Sequence, residues 1–368
     1  MGLLGLSGCG SPSSASVEMS SQTELVKTGS MELQYAENFA VDYYEDGYKM
    51  LTTLPDSKRY LIVPEGQPVP RGLDEDVSIL QEPLQNIYLV ASGAMDMFAS
   101  LDAVDQIRFS GQKQENWYIQ TAKDAMAAGD MIYAGKYSKP DYELLVSEGC
   151  DLAIENRMIT HSPEVVEMLQ SFDIPVMIEY SSYEQHPLGK VEWVKFFGAL
   201  TGKEAEAEEA FAEQTEILEK VESGEKTGKT IAFFYVTSNG LIQVRQSTDY
   251  IPKLIELAGG RYIFEDLEDS GSGRSTLNMQ VEDFYAGAKD ADILIYNSSI
   301  DGGVTTVDEL IGKCNILKDF KAVQEGQVYC TTNDMYQQSM AIGYLLQDMH
   351  TVLTDDDTAK LRYLFLLQ

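Results

Sequence analysis

Gly189-Lys190-Val191-Glu192-Trp193-Val194-Lys195-Phe196-Phe197-Gly198-Ala199-Leu200-Thr201-Gly202, continued by Lys203-Glu204-Ala205-Glu206-Ala207-Glu208-Glu209-Ala210 and on to Ser223, is the stretch that decides the fold. It contains no proline. Its apolar residues recur near helical spacing: Val191, Val194, Phe197 and Leu200, then Phe211, Ile217, Leu218 and Val221. Alanine, glutamate and lysine fill its middle, and these lose little side-chain freedom in a helix. One helix of about 33 residues would reach roughly 50 Å. Gly202 could instead split it in two.

On both sides of this helix the pattern changes. Upstream, Ile87-Tyr88-Leu89-Val90, Asp151-Leu152-Ala153-Ile154 and Pro175-Val176-Met177-Ile178 are short apolar runs of the buried-strand type. Helical segments are expected at residues 94–101, 141–147 and 163–172. Downstream, strands are expected at residues 230–236, 293–296 and 328–330, and helices at 250–258, 281–288 and 335–353. Short apolar strands joined through helices predict parallel sheets covered on both faces. The predicted fold class is therefore α/β, with two parallel-sheet α/β lobes joined by one long backbone helix. An extra N-terminal β-hairpin is expected from Phe39-Ala40-Val41-Asp42-Tyr43-Tyr44 and Tyr48-Lys49-Met50-Leu51, because Asp46-Gly47 lies between them. Tyr60-Leu61-Ile62-Val63 reads as a further strand and residues 64–76 as a loop. Glu268-Asp269-Ser270-Gly271-Ser272-Gly273 reads as a surface loop. The expected boundaries are a signal and tether over 1–30, a first lobe over 31–188, the linking helix over 189–223 and a second lobe over 224–368.

Composition narrows the function. The chain has 368 residues, 44% of them hydrophobic, which is enough for a large core and two domains. Its 27 basic residues face 59 acidic ones, for a net charge of −32. Such a surface repels phosphate backbones, so nucleic acid is not an expected partner. Beyond Cys9 the cysteines are Cys150, Cys314 and Cys330, an odd number without a CxxC pair. Cys314 and Cys330 could bridge or stay reduced. The only histidines are His161, His186 and His350, too few to suggest a metal cluster. No metal or cofactor of the protein itself is expected.

The N-terminus adds a location. Leu6-Ser7-Gly8-Cys9 ends a short apolar run in a small residue and a cysteine, and a serine-rich stretch follows. It resembles a bacterial lipobox, in which the peptide is cut before the cysteine and the cysteine carries a lipid. Lipidation is therefore expected at Cys9, with residues 10–30 as a leash to the outer face of the cytoplasmic membrane. Eight residues precede Cys9 and none is basic, so the signal reads as truncated or engineered. An incidental N-terminal cysteine would look the same.

The order of the elements carries a second resemblance. Asn86-Ile87-Tyr88-Leu89-Val90-Ala91-Ser92 is followed by Leu101-Asp102-Ala103-Val104-Asp105-Gln106-Ile107. Pro140-Asp141-Tyr142-Glu143-Leu144-Leu145 leads into the second strand. Tyr250-Ile251-Pro252-Lys253-Leu254-Ile255-Glu256-Leu257-Ala258-Gly259-Gly260 closes a helix on two glycines. Over residues 85–353 the chain resembles the helical-backbone class of periplasmic-type substrate-binding proteins. These serve ABC importers of ferric siderophores, haem and corrinoids. The resemblance implies a ligand held between the two lobes, little closure because the linking helix is stiff, and an acidic residue on each lobe that docks into the permease. Those acids match Glu143 and Glu282, with Asp283 as the other choice of register. An ordinary solvated acid is the alternative at each position. The hairpin at 31–63 has no counterpart in the family pattern.

Ligands in open α/β sheets meet the loops at the carboxyl ends of strands. This selects Ser92, Asn156, Arg157 and Tyr183 in the first lobe, and Arg245, Asn297 and Tyr336 in the second. Trp117 and Tyr118 join them, as two large rings in a polar loop. A guanidinium fork suits carboxylates and the anionic oxygens of a chelate, which makes Arg157 and Arg245 the sharpest candidates. A structural ion pair is the alternative for each. His186, just before Pro187, could contact ligand or simply cap the helix. A haem would need His or Tyr as an axial ligand, which Tyr183 or His186 could supply. The expected function is capture of a metal chelate, a ferric siderophore first, by a monomeric, non-catalytic lipoprotein that delivers it to an ABC permease. Corrinoid, haem or an oxyanion would use the same scaffold. An extracytoplasmic hydrolase is the competing class, but no GxSxG, HExxH, Walker loop or GxGxxG is present. An adhesion or scaffold lipoprotein is a third.

Overall fold

The computed structural model describes residues 25–267, 275–298, 301–355 and 360–368. Cys9, most of the expected tether and the 268–273 loop lie outside these residues.

The chain begins with a sheet. Strands β1 (Lys27–Ser30), β2 (Phe39–Tyr44), β3 (Lys49–Thr53), β4 (Lys58–Val63) and β5 (Val77–Gln81) pair in sequence order. The first four are antiparallel and β5 runs parallel to β4. The Asp-Gly turn is present, with Asp46 at φ 57° and Gly47 at φ 83°. The expected hairpin is thus the middle of a five-stranded sheet. The expected tether ends before residue 30, because β1 pairs with β2 through its backbone and needs no apolar side chains; Lys27 and Ser30 both bond Asp42.

The first lobe follows as β6 (Ile87–Leu89), α1 (Ala94–Ser100), β7 (Ile107–Ser110), α2 (Gln120–Ala128) and β8 (Ile132–Tyr133), then a small hairpin of β9 (Gly135–Lys136) and β10 (Lys139–Pro140). It continues with α3 (Tyr142–Ser147), β11 (Leu152–Asn156), α4 (Pro163–Ser171) and β12 (Val176–Glu179). Its sheet has the order β12-β11-β6-β7-β8, all parallel. The chain starts in the middle, at β6, and winds outward in both directions. A crevice therefore opens between β6 and β11 at the carboxyl ends.

The decisive stretch forms two helices, α5 (Pro187–Thr201) and α6 (Glu204–Glu222). Gly202 takes φ +71°, a left-handed conformation that ends α5 as a C-cap. The helices fold against each other, and a Cβ on Gly198 would sit 2.6 Å from that of Ala207. The long rod expected from the sequence thus shortens to α6, about 28 Å. α6 touches α1 of the first lobe. It also touches α7 (Tyr250–Leu257) and α11 (Ile342–Thr354) of the second.

α5 is buried along almost its whole length, charged residues included. On one side it meets the N-terminal sheet, where Phe39 packs edge-on to Trp193 and Phe196, with ring centroids 5.0 and 5.3 Å apart. Two buried carboxylates fasten the chain there. Glu192 accepts the backbone N–H groups of Gln34, Tyr35 and Ala36 at 2.8–3.1 Å. Glu184 accepts those of Glu37 and Asn38, and the Trp193 indole N–H at 2.8 Å. Charged acceptors at such donors are among the stronger protein hydrogen bonds.

The second lobe contains β13 (Thr230–Val236), β14 (Ile242–Arg245), α7, β15 (Arg261–Tyr262), β16 (Thr276–Met279), α8 (Val281–Ala288) and β17 (Ile293–Tyr296). It ends with α9 (Val307–Lys313), α10 (Lys321–Gln324), β18 (Val328–Thr331), α11 and β19 (Leu364–Leu366). Strands β15, β13, β17 and β18 are parallel; β14 and β19 run antiparallel to them, and β16 pairs antiparallel with β14. The final helix begins at Ile342, seven residues later than expected, because residues 335–341 cross to the first lobe. Cys150, Cys314 and Cys330 are free thiols, so the possible 314–330 bridge is absent. Among the described residues, no helix is long and apolar enough to cross a membrane.

Candidate functional site

In the first lobe the crevice is edged by turns that start where strands end. Asn156 closes β11, and its side chain accepts the Met158 N–H at 2.9 Å, starting a short 3-10 turn that carries Arg157. After β12, the buried Glu179 carboxylate accepts the Ser181 N–H at 2.6 Å. Burial pushes its pKa up. The turn it holds presents Tyr183, whose ring lies under the Arg157 guanidinium at 4.5 Å. Arg157 and Tyr183 are therefore one unit. Ser92 follows β6 and lines neither part of the groove between the lobes.

The second lobe brings together three residues that the sequence separates widely. The Tyr336 hydroxyl accepts hydrogen bonds from Arg245 and, at 2.9 Å, from the Asn297 amide. Arg245 lies over the rings of Phe233 and Tyr336, at 5.8 and 5.4 Å, and pairs with Asp249 at 3.4 Å. The Tyr262 hydroxyl clasps the Arg245 backbone at both N–H and C=O. Asp249 also caps α7 by accepting the Ile251 N–H at 2.9 Å. Its pKa is raised by burial, against the opposing pull of Arg245. Arg245 is thus a nearly buried, ion-paired structural residue.

Between the lobes runs a groove in two parts that share three lining residues; Arg245, Asn297 and Tyr336 line neither part. One part, about 260 Å³, is lined by Arg157, Tyr183, Glu184 and Gln185 from the first lobe and by Thr248, Asp249 and Ser275 from the second. The next part, about 350 Å³, shares Gln185, Thr248 and Asp249. It adds His186, Ser247 and Lys253, and also Tyr35 and Glu37 from the N-terminal sheet. Beside it the Lys190 ammonium of α5, nearly enclosed, lies 4.7 Å from the Tyr250 ring at the start of α7. A larger cavity of about 660 Å³, around Asp102 and Asp130, belongs to the first lobe alone.

Elsewhere the lobes grip each other directly. The Gln337 side chain accepts the Tyr118 N–H and donates to the Asn116 carbonyl, both at 2.8 Å. Asp96 accepts the Met340 N–H at 2.7 Å. Burial of Asp96 raises its pKa to about 6, with that N–H and Lys190 opposing the rise. Gly93, next to Ser92, faces Ser339 across the same seam.

Two expectations change. Trp117 is fully buried and bonds the Ser110 hydroxyl at 3.0 Å, so it supports the loop from below and is not open to ligand. Tyr118 is exposed but stands at the lobe–lobe seam, with Lys123 near its ring. His186 does cap α5: its Nδ1 accepts the Leu188 N–H at 3.2 Å. That bond leaves the ring proton on Nε2, and burial together with nearby Lys253 lowers its pKa. Glu143 and Glu282 are exposed, each in the first turn of its helix. Sequence reasoning missed Asp249, Gln185, Lys190 and the two N-terminal residues. Asp249 had a signal, since an aspartate directly before a helix is a favoured N-cap. Lys190 had none, because a buried lysine reads like a solvated one. Among the described residues, no group of three or more His, Cys, Asp or Glu is placed to hold a metal ion.

The comparisons agree with this architecture. Residues 91–335 match the family model described as periplasmic binding protein. An uncharacterised lipoprotein of Methanocaldococcus jannaschii is 24% identical over 87% of this chain and 81% of its own length. A possible iron-binding, periplasmic solute-binding protein from Staphylococcus epidermidis superposes with a TM-score of 0.57 at 17% identity, covering 73% of this chain and 98% of that one. The periplasmic haem-binding protein of Vibrio cholerae gives a TM-score of 0.57 at 14% identity, again over 73% and 98%. With two α/β lobes, a groove between them and a family match across most of its length, the chain belongs to the periplasmic binding protein family.

Proposed function

We propose that this protein is the lipid-anchored binding component of an ABC importer and captures a metal chelate, a ferric siderophore, in the inter-lobe groove. The observation that carries the reading is the guanidinium of Arg157, which lines the groove, with Arg245 of the second lobe as a second guanidinium outside its lining. Arg157 lies on one aromatic ring and Arg245 on two, in a chain of net charge −32. Flat, weakly hydrated cations on rings suit the anionic oxygens and the aromatic or planar arms of a chelate. The Staphylococcus neighbour is described as possibly iron-binding, which supports the same class of cargo. The Vibrio neighbour is described as haem-binding. For haem, His186 is a poor axial ligand as it stands, since its Nδ1 is held by the Leu188 N–H and its Nε2 carries the proton.

In this reading the protein acts as a monomer and without catalysis. A lipid on Cys9 holds it at the membrane, as the name of the Methanocaldococcus relative supports. Glu143 and Glu282 present one exposed carboxylate per lobe to the permease, contributing orientation and association rate more than affinity. The test is a thermal-shift panel of a ferric tris-catecholate, a ferric hydroxamate, haemin, cobalamin and molybdate. A ligand at 100 times its Kd adds about 2.7 kcal/mol. At about 2.1 cal/mol/K per residue over 368 residues, that is a rise of about 3–4 °C. A rise with a ferric chelate supports the proposal. A rise only with haemin, cobalamin or molybdate keeps the scaffold and replaces the cargo.

A further inference from the structure

The family match begins at residue 91, so the five-stranded N-terminal sheet lies outside the matched residues. Its position is specific. The turn at residues 34–38 is fastened to the first lobe and to α5 by five backbone N–H groups, all bonded to the carboxylates of Glu184 and Glu192. Glu184 itself lines the groove beside Tyr183. The Tyr35 ring stacks on His186 with centroids 4.5 Å apart and planes 20° from parallel. Tyr35 and the exposed Glu37 then line the 350 Å³ part of the groove, which Ser247, Thr248 and Lys253 of the second lobe line as well. An attachment needed only for stability would not have to place a phenol and a carboxylate in the cavity.

We propose that the N-terminal sheet is a third wall of the ligand groove, and that Tyr35 and Glu37 contact the bound molecule and set which molecules fit. The chemistry of this end is polar: a phenol, a carboxylate, an imidazole with its proton on Nε2, hydroxyls and an ammonium. It suits a hydroxyl- or amide-rich periphery of the ligand, while Arg157 and Tyr183 hold the anionic part. Glu37 disfavours a second carboxylate at the same end, so the residue selects by repulsion as well as attraction. The proposal rests on the groove being the binding site.

The experiment measures Kd for every probe of the panel above with the full chain and with Glu37→Gln and Tyr35→Ala. The apo Tm of each variant serves as the check on folding. Glu37→Gln keeps every backbone bond of the turn and removes only the charge. The expected result is a change of about tenfold in Kd for the probe the wild type binds, or a change in which probe is preferred, with little change in apo Tm. If the wild type binds a probe and both variants bind it equally well, the third wall is overturned while the groove stands. If the wild type binds no probe, the reading of the groove fails and the third wall falls with it.

Discussion

Glu192→Gln tests whether the N-terminal sheet is held by charge or only by apolar packing. In the native chain the Glu192 carboxylate, fully buried, faces three backbone N–H groups, and Lys195 lies 3.5 Å away. Glutamine has nearly the same volume, so no cavity forms. Its one carbonyl oxygen can serve at most two of the three donors, and its NH2 group confronts the third. Bonds to a charged acceptor are worth about 1.5–3 kcal/mol and neutral ones about 0.5–1.5, while a stranded buried donor costs about 1–3. Two weakened bonds and one stranded donor therefore cost about 3–5 kcal/mol, the range seen when one partner of a buried ion pair is removed. Over 368 residues this corresponds to a fall in Tm of about 4–6 °C. Calorimetry reads the loss, and amide hydrogen exchange locates it: the N–H groups of Tyr35 and Ala36 should lose protection before those of β13. A Tm within 1 °C of wild type, as a threshold of about a quarter of the expected shift, with unchanged exchange at Tyr35 and Ala36, would refute the reasoning. The apolar contacts of Phe39 would then be sufficient by themselves.

Further outcomes follow from the same structure. Glu155 is fully buried on β11 with neither oxygen bonded, and burial raises its pKa from 4.5 to about 8. The native state keeps a proton that the unfolded chain releases, so stability is lost as pH rises from about 4.5 to about 8, by up to about 5 kcal/mol. Tm against pH should show this slope in the wild type and a flatter one in Glu155→Gln; identical slopes contradict it. Arg157→Ala should weaken binding and leave Tm nearly unchanged. Arg245→Ala should do both kinds of damage, because it strands the buried Asp249 at a cost of about 3–5 kcal/mol. Unchanged affinity in both variants removes the proposed site. Glu143→Ala should slow uptake in cells without altering Kd, and a weaker Kd would place Glu143 in the wrong role.

Much of this protein is written in local pattern. The strands at Thr230–Val236 and Ile293–Tyr296 and the helix at Val281–Ala288 are legible because a buried parallel strand must be apolar along its whole length and a surface helix must not. Arg157 was legible because it follows such a strand, and a strand end is where an open sheet meets its ligand. The alternation β–α on each side of residues 189–223 was sufficient for two lobes. What failed is what depends on distant partners. The sequence left open whether Gly202 breaks the helix, and the burial of α5 follows from helices and a sheet that pack around it, so nothing local marks Lys190 and Glu192 as buried. Trp117 was expected at the ligand because it stands in a polar loop, yet it is buried on Ser110. Tyr35 and Glu37 carry no motif at all. They reach the groove because carboxylates roughly 150 residues away hold their backbone there, and no local rule encodes a contact made across that separation. The sequence by itself determined the elements, the lobes and the ends of strands where ligand is met. Tertiary structure alone decided which side chains share the groove, since burial and pairing are properties of the assembled surfaces and not of the chain's local pattern.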